Sequence, residues 1–258
     1  MKKITLNGIE LTYERRGRGR ALVLIHGYPL DHTIWEAVAP LLEEHFDLIL
    51  PDLRGFGGST ASAADYRLTD LAADMAALLD QLKLEQAVIA GHSMGGYVAL
   101  AFAHAYPERV LGLGLIASQA LADPPERKAA RYKEAEHVLA HGVGDVAVGM
   151  SAKLSADGGL QAKLKTLIMR QSPQGLAGAL RAMAERPDST PFLAEFDFPV
   201  CIVHGLVDAL IPVERAREVR AKVKRGHLVE IEGAGHMPML EAAEETAEAL
   251  KAAFGPLR

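Results

Sequence analysis

The chain of 258 residues contains a single cysteine and no apolar run long enough to cross a membrane. One cysteine excludes an intrachain disulfide, and the position of Cys201 in an apolar run predicts a buried strand thiol rather than a nucleophile. A bilayer span needs roughly 20 apolar residues. No apolar leader follows the N-terminal lysines, so we expect a cytoplasmic protein without a signal peptide.

The chain also lacks a strong excess of charge and the usual cofactor motifs. Its net charge of −5 provides no basic surface for nucleic acid or anionic lipid. No glycine-rich segment completes a dinucleotide fingerprint or a phosphate loop, and no histidine or cysteine spacing is typical of a metal site. We therefore expect no cofactor, metal, nucleic-acid partner or membrane association, and the sequence leaves the oligomeric state open.

Strand patterns alternate with helical patterns through the first 118 residues and again after residue 196. Asn7-Gly8 predicts a hairpin turn, and Thr33 is positioned to cap a helix that runs to about Glu44. A continuous apolar strand of the kind buried in parallel sheets follows at 21–25, and further strands are predicted at 46–50, 88–90, 110–117, 199–204 and 227–231. This alternation predicts the α/β class, with a mostly parallel sheet and helices on both faces.

Between these two parts, residues 119–196 contain helical patterns and no buried-strand pattern. The helical segments are predicted near 124–140, 144–154, 159–171 and 173–185. A helical insertion of this size between two sheet strands indicates a cap. We therefore predict a core of residues 1–118 and 197–258 and a cap of residues 119–196. The alanine, leucine and methionine content of the cap favours a mostly apolar ligand.

The segment Gly91-His92-Ser93-Met94-Gly95 forms a Gly-x-Ser-x-Gly pattern between a strand and a helix-permissive stretch. A serine at such a turn has a strained backbone, and Gly91 and Gly95 avoid collisions across it. The helix that follows directs unpaired N–H groups and the positive end of its dipole toward the serine. The pattern predicts Ser93 as a nucleophile.

A serine hydroxyl needs a base within hydrogen-bond reach. His236 follows the end of a strand, at the sheet edge where catalytic groups gather in α/β proteins, and is the predicted base. His204 also ends a strand and remains an alternative. His26 and His92 flank site elements and are expected to pack or to bond loops. The other six histidines have no evident partner in the sequence.

The base needs an acid to orient it, and three aspartates follow strands. Asp208 is the predicted acid, because it lies just beyond an apolar strand and before His236. Asp52 is the second candidate, although its position beside Arg54 predicts that the two side chains hold their loop together. Asp123 ranks third.

Acyl transfer also needs N–H donors for the tetrahedral oxyanion. The residue after the nucleophile supplies one, which is the backbone N–H of Met94. The loop after the third strand supplies the other. We expect the backbone N–H of Tyr28, because Pro29 has none.

These segments together resemble the α/β-hydrolase-fold serine hydrolases over essentially the whole chain. The resemblance rests on His26-Gly27-Tyr28-Pro29, Pro51-Asp52-Leu53-Arg54-Gly55-Phe56-Gly57, Gly91-His92-Ser93-Met94-Gly95-Gly96, Gly205–Pro212 and Gly235-His236. It implies an eight-stranded sheet whose second strand is antiparallel, with a helical cap between strands six and seven. The order of serine, acid and histidine is also that of these enzymes.

Within this family, the resemblance implies a carboxylesterase or arylesterase type of activity. A serine at the elbow differs from the aspartate of haloalkane dehalogenases and epoxide hydrolases. We therefore expect cleavage of small to medium apolar carboxylic esters through an acyl-enzyme on Ser93, His236 and Asp208. Two alternatives remain: a lactonase or carbon–carbon bond hydrolase with the same residues, and a ligand-sensing signalling protein on a hydrolase scaffold.

Overall fold

The computed structural model describes residues 1–61 and 65–255. Residues 62–64 and 256–258, which belong to the predicted core, lie outside the described residues. Eight strands form one sheet in the described part: β1 (Lys2–Leu6), β2 (Ile9–Gly17), β3 (Arg20–Ile25), β4 (Phe46–Pro51), β5 (Ala87–His92), β6 (Val110–Ile116), β7 (Val200–Gly205) and β8 (Gly226–Ile231). Their order across the sheet is β1-β2-β4-β3-β5-β6-β7-β8.

The sheet is mostly parallel, as the apolar runs predict. The second strand pairs antiparallel with both β1 and β4, and the other neighbours pair in parallel. Parallel strands of one sheet end at the same edge. The register aligns Ile25 of β3 with Gly91 of β5, and His92 with Ile116 of β6, so the loops that follow these strands meet above one edge.

Helices cover both faces of this sheet. The described helices are α1 (Ala39–Leu42), α2 (Leu68–Gln81), α3 (Met94–Ala105), α4 (Pro125–His141), α5 (Gly144–Leu154), α6 (Gly158–Ile168), α7 (Pro173–Ala184), α8 (Val213–Lys222), α9 (Pro238–Glu241) and α10 (Ala243–Phe254). One buried cluster joins the sheet to α2, α3 and α8, and a second joins it to α1, α9 and α10. Among the described residues, no helix is both long enough and apolar enough to cross a membrane.

A helical insertion separates β6 from β7, as the resemblance implies. It contains α4 to α7, in which α4 packs against α7 and α5 against α6. Apolar residues of the insertion, such as Leu176 and Leu180, are buried in the same cluster as α2 and α3. The insertion is therefore packed on the core above the edge where the strands end.

The helix predicted from Thr33 to about Glu44 is wrong. A short 3₁₀ helix (His32–Trp35) begins after Asp31, whose carboxylate accepts a hydrogen bond of 3.0 Å from the backbone N–H of Thr33. Asp31 is therefore the cap, and α1 begins only later. Pro40 lies in the first turn of α1, because a proline inside a continuous helix would remove a hydrogen bond and clash with the preceding turn.

Candidate active site

Ser93 occupies the sharp turn between β5 and α3. Its backbone has φ +50° and ψ −112°, a left-handed region that side chains rarely adopt. The turn depends on two glycines: a Cβ on Gly91 would lie 2.1 Å from the backbone of Gly95, and a Cβ on Gly95 would lie 2.3 Å from the carbonyl of Ile25. Because both positions are glycine, the turn can close and hold the side chain of Ser93 at the sheet edge.

The predicted acid and base are hydrogen-bonded to each other. Nδ1 of His236 lies 2.7 Å from Oδ2 of Asp208. The other carboxylate oxygen, Oδ1, accepts bonds of 2.8 and 3.0 Å from the backbone N–H groups of Leu210 and Ile211. Asp208 is therefore fixed by the loop after β7. Its other oxygen, Oδ2, holds the imidazole of His236 and also lies 3.4 Å from Nε2 of His204.

This environment keeps the carboxylate of Asp208 charged. Burial alone would raise the pKa of Asp208, but the hydrogen bond from His236 and the two backbone donors outweigh it, so the pKa lies below its ordinary value. A charged carboxylate can both orient an imidazole and stabilise the imidazolium that forms when the ring takes a proton.

Ser93 and His236 line the same cavity of about 460 Å³, together with Tyr28 and Leu210. Within the described residues, no hydrogen bond of standard geometry joins the hydroxyl of Ser93 to the ring of His236. Catalytic hydrogen bonds are often long in a free enzyme and shorten when substrate binds. The structure thus brings the predicted nucleophile and base to one cavity without joining them.

Two further histidines hold this loop region together. Nε2 of His92 donates to the backbone carbonyl of His236 at 2.8 Å, and its ring lies 4.9 Å from that of His236. Burial and the nearby His236 lower the pKa of His92 well below its ordinary value, so the ring is neutral. His204 is fully buried, donates to the carbonyl of Ile211, and does not line the cavity with Ser93.

The backbone of Tyr28 lies in the loop directly after β3, and Met94 is the first residue of α3. The first N–H groups of a helix have no partner within the helix. Tyr28 lines the same cavity as Ser93, and Met94 is buried. The role of these two N–H groups as oxyanion donors stays a prediction.

The predicted contact between Asp52 and Arg54 is wrong. Two nitrogens of Arg54 bond the carboxylate of Asp74 on α2, both at 2.7 Å. The carboxylate of Asp74 accepts both ends of the guanidinium, and such a two-point pair is stronger than a single contact. Asp52 does hold its loop, because Oδ2 accepts the backbone N–H of Gly58 at 2.9 Å. Asp123, the third candidate acid, instead pairs with two arginines.

His32 also has a partner that the sequence did not reveal. Its Nδ1 lies 2.6 Å from Oδ1 of Asp52, and Asp31 lies close enough that the three residues place possible metal ligands within 4.8 Å of one another. Both carboxylates already accept hydrogen bonds, Asp31 from Thr33 and Gln171. These contacts fit an ion pair between two loops.

The pair between His32 and Asp52 predicts a pH-dependent contribution to stability. Burial would lower the pKa of His32, but Asp52 outweighs it, so the pKa is raised. Burial would raise the pKa of Asp52, but His32 and His26 outweigh it, so the pKa is lowered. The contribution of His32 is thus full below its unfolded pKa and is lost as pH rises through the folded value, whereas that of Asp52 is lost in acid.

We expect His32→Gln to lower the free energy of unfolding by about 1 kcal/mol at about pH 5.5 and by much less at about pH 9. Urea denaturation at both pH values measures this difference. His45→Gln, at an exposed histidine, is the control and should change little at either pH. Equal losses at both pH values for His32→Gln would contradict a role for the charged pair.

The expectation of a mostly apolar pocket missed the charged side chains that the cap contributes. The cavity includes Met150 and Met183, but also Arg127, Arg131 and Glu134 of α4. The last three are spaced four and three residues apart, which places them on one face of a helix. The sequence shows that these residues share one face of α4, but it does not show that this face lines the cavity. That orientation depends on the packing of α4 against α7.

Comparisons with known proteins agree with this fold. A family model described as the alpha/beta hydrolase fold matches residues 20–243. A thermophilic esterase from Thermogutta terrifontis, solved with malate bound, has a TM-score of 0.94 and 35% identity, over 98% of this chain and 97% of that one. The pimeloyl-[acyl-carrier protein] methyl ester esterase of Aromatoleum aromaticum is 30% identical, over 88% of this chain and 94% of its own.

A longer relative matches as well. The dihydrolipoyllysine-residue acetyltransferase component of the acetoin cleaving system from Pseudomonas putida is 32% identical over 88% of this chain, and the match spans 61% of that relative's length. The family model covers most of the chain, and these relatives match along nearly all of it. The chain therefore belongs to the alpha/beta hydrolase fold family.

Proposed function

We propose that the chain is a serine hydrolase that cleaves small to medium carboxylic esters through an acyl-enzyme. The observation that carries this proposal is the buried bond between Asp208 and His236 beside a strained Ser93, with the serine and the histidine on one cavity. Because one fold can serve many functions, the proposed function is inferred from the residues of the site.

In this mechanism Ser93 attacks the ester carbonyl while Nε2 of His236 accepts the hydroxyl proton. Nδ1 keeps its proton because it donates to Asp208, and this leaves Nε2 as the acceptor. The backbone N–H groups of Tyr28 and Met94 stabilise the oxyanion. The protonated His236 then delivers its proton to the leaving alcohol, and a water activated by the same ring releases the acid.

The segment 119–196 acts as the cap domain in this proposal, and residues 1–118 and 197–258 act as the catalytic core. Side chains of the cap and of the core line the same cavity, for example Met183 from α7 and Leu210 from the loop after β7. The esterase relatives from Thermogutta terrifontis and Aromatoleum aromaticum support ester cleavage as the reaction, because both match this chain over nearly its full length.

The proposal is tested by hydrolysis of p-nitrophenyl esters from acetate to decanoate, together with labelling by a fluorophosphonate and mapping of the label by mass spectrometry. We expect multiple turnovers, with short and medium esters preferred, and a label on Ser93. Labelling of Ser93 without turnover of any ester would favour the ligand-sensing alternative. Absence of both labelling and turnover would overturn the proposal.

A further inference from the structure

Asp123, Arg131 and Arg186 form a buried cluster of three charged side chains. Asp123 and Arg131 line the cavity that contains Ser93. The three side chains are 4%, 9% and 3% exposed, respectively. Oδ2 of Asp123 accepts a hydrogen bond from Nε of Arg131, and Oδ1 lies 2.8 Å from Nη2 of Arg186. Two guanidinium groups therefore share one carboxylate.

The cluster has a net positive charge. Burial would raise the pKa of Asp123, but the hydrogen bonds from Arg131 and Arg186 outweigh it and hold the pKa below its ordinary value. Asp123 is therefore ionised at neutral pH, and arginine remains protonated throughout. Two positive charges against one negative charge leave one positive charge without a counterion in the cluster, where little water can screen it.

The two arginines differ in how fully they are bonded. Arg186 donates to the backbone carbonyls of Leu121 and Met183, and its guanidinium lies 4.3 Å from the centre of the Tyr97 ring. Arg131 lines the cavity. Among the described residues, its Nε bonds Asp123 but neither terminal nitrogen has an acceptor. Arg131 is thus the member of the cluster that is available to a ligand.

The other charged groups of the cavity are solvated. Arg127 bonds Glu134 at 3.0 Å, and both side chains are more than two-fifths exposed. Asp145 is exposed and bonds His137, and Lys153 is an exposed residue. Exposed charges interact weakly because water screens them, so Arg131 is the group expected to discriminate between ligands.

We propose that Arg131 binds a carboxylate of the substrate, so that the preferred esters are those that also carry a free carboxylate, such as half-esters of dicarboxylic acids. This proposal rests on the proposed ester hydrolysis and names its substrate class. The terminal nitrogens of a guanidinium match the two oxygens of a carboxylate. A neutral amide in place of the carboxylate offers the guanidinium one acceptor oxygen instead of two and carries no negative charge, so it should be bound less tightly.

The test compares monomethyl adipate with methyl 6-amino-6-oxohexanoate, in which a neutral amide replaces the carboxylate. We expect kcat/KM of the wild type to be on the order of 10- to 100-fold higher for the carboxylate. In Arg131→Met this ratio should fall to about 1, and Arg131→Lys should restore part of it because the charge remains. The ratio is measured within each variant, so a uniform loss of activity does not affect it.

Arg127→Gln is the matched control, because it removes a charge from the same face of α4 at an exposed site. It should change the ratio less than about 3-fold, and added salt should abolish that change. A wild type that hydrolyses both esters equally would overturn the proposal. An unchanged preference in Arg131→Met would also overturn it, since the carboxylate would then bind elsewhere.

Binding to the non-cleaving variant Ser93→Ala separates this proposal from the proposed function. Calorimetry should detect tighter binding of monomethyl adipate than of the amide, and loss of that difference in the double variant Ser93→Ala with Arg131→Met. Charge-selective binding without turnover in the wild type would support the carboxylate site and contradict ester hydrolysis. Turnover of neutral esters without charge-selective binding would support ester hydrolysis and contradict the carboxylate site.

Discussion

Ser93→Ala is expected to lower kcat for p-nitrophenyl acetate by roughly 10,000- to 1,000,000-fold. The alanine leaves the backbone of the turn unchanged but removes the atom that forms the acyl-enzyme in the proposed mechanism. Residual activity then depends on the oxyanion donors and on substrate binding alone. Initial-rate kinetics measure the loss, and the variant should also no longer react with a fluorophosphonate.

Ser118→Ala is the matched control for this experiment. Ser118 is buried, and its hydroxyl donates to the backbone carbonyl of Ser93 at 2.8 Å. Its loss should cost less than about tenfold in kcat, because a single positioning hydrogen bond is removed. Activity that survives in Ser93→Ala would mean that another group attacks the ester, and the assignment of Ser93 would be wrong.

The strands could be predicted from the sequence because their signal is local. The apolar run at 21–25 predicts a buried parallel strand, and β3 is Arg20–Ile25. The alternation around Asn7-Gly8 predicts the hairpin of β1 and β2. The structure confirms it, because Lys2 pairs with Tyr13 and Leu6 pairs with Ile9. Each of these patterns depends on neighbouring residues only, so the strand can be predicted without knowledge of its tertiary contacts.

Partners that are distant in the chain could not be predicted in the same way. With 33 acidic residues in the chain, the sequence does not determine which carboxylate a buried arginine reaches. Arg54 reaches Asp74 on α2 instead of the nearby Asp52, and Asn7 from the hairpin bonds the same carboxylate. Such pairs depend on how α2 lies against the sheet.

The candidate site also has a part that the sequence predicts and a part that it does not. The loops that follow parallel strands lie at one edge of the sheet, so the sequence predicts that Ser93, Asp208 and His236 meet there. The bond between Asp208 and His236 agrees with that expectation. Arg127 and Arg131, which line the cavity, come from α4, whose rotation depends on its packing against α7. The sequence therefore predicts the helix but not the face that it turns to the site.

Asp208→Asn is expected to lower kcat by about 10,000-fold while leaving the fold intact. Oδ1 of Asp208 accepts two backbone N–H groups, so the amide oxygen of an asparagine must occupy that position. Its NH₂ group then takes the place of Oδ2, which lies 2.7 Å from Nδ1 of His236. Because an NH₂ group donates, Nδ1 must become the acceptor, and the ring proton moves to Nε2.

A proton on Nε2 prevents His236 from accepting the proton of Ser93, so the loss should arise from the wrong tautomer and not from unfolding. Kinetics give the size of the loss, and ¹⁵N chemical shifts of the His236 ring report which nitrogen is protonated. Asp52→Asn is the control, because its carboxylate bonds His32 and Gly58, and kcat should fall less than about tenfold. A large loss in Asp52→Asn with a small loss in Asp208→Asn would reverse the assignment of the acid. The acid is the carboxylate that orients His236, so only its replacement by an amide should change the tautomer of the His236 ring.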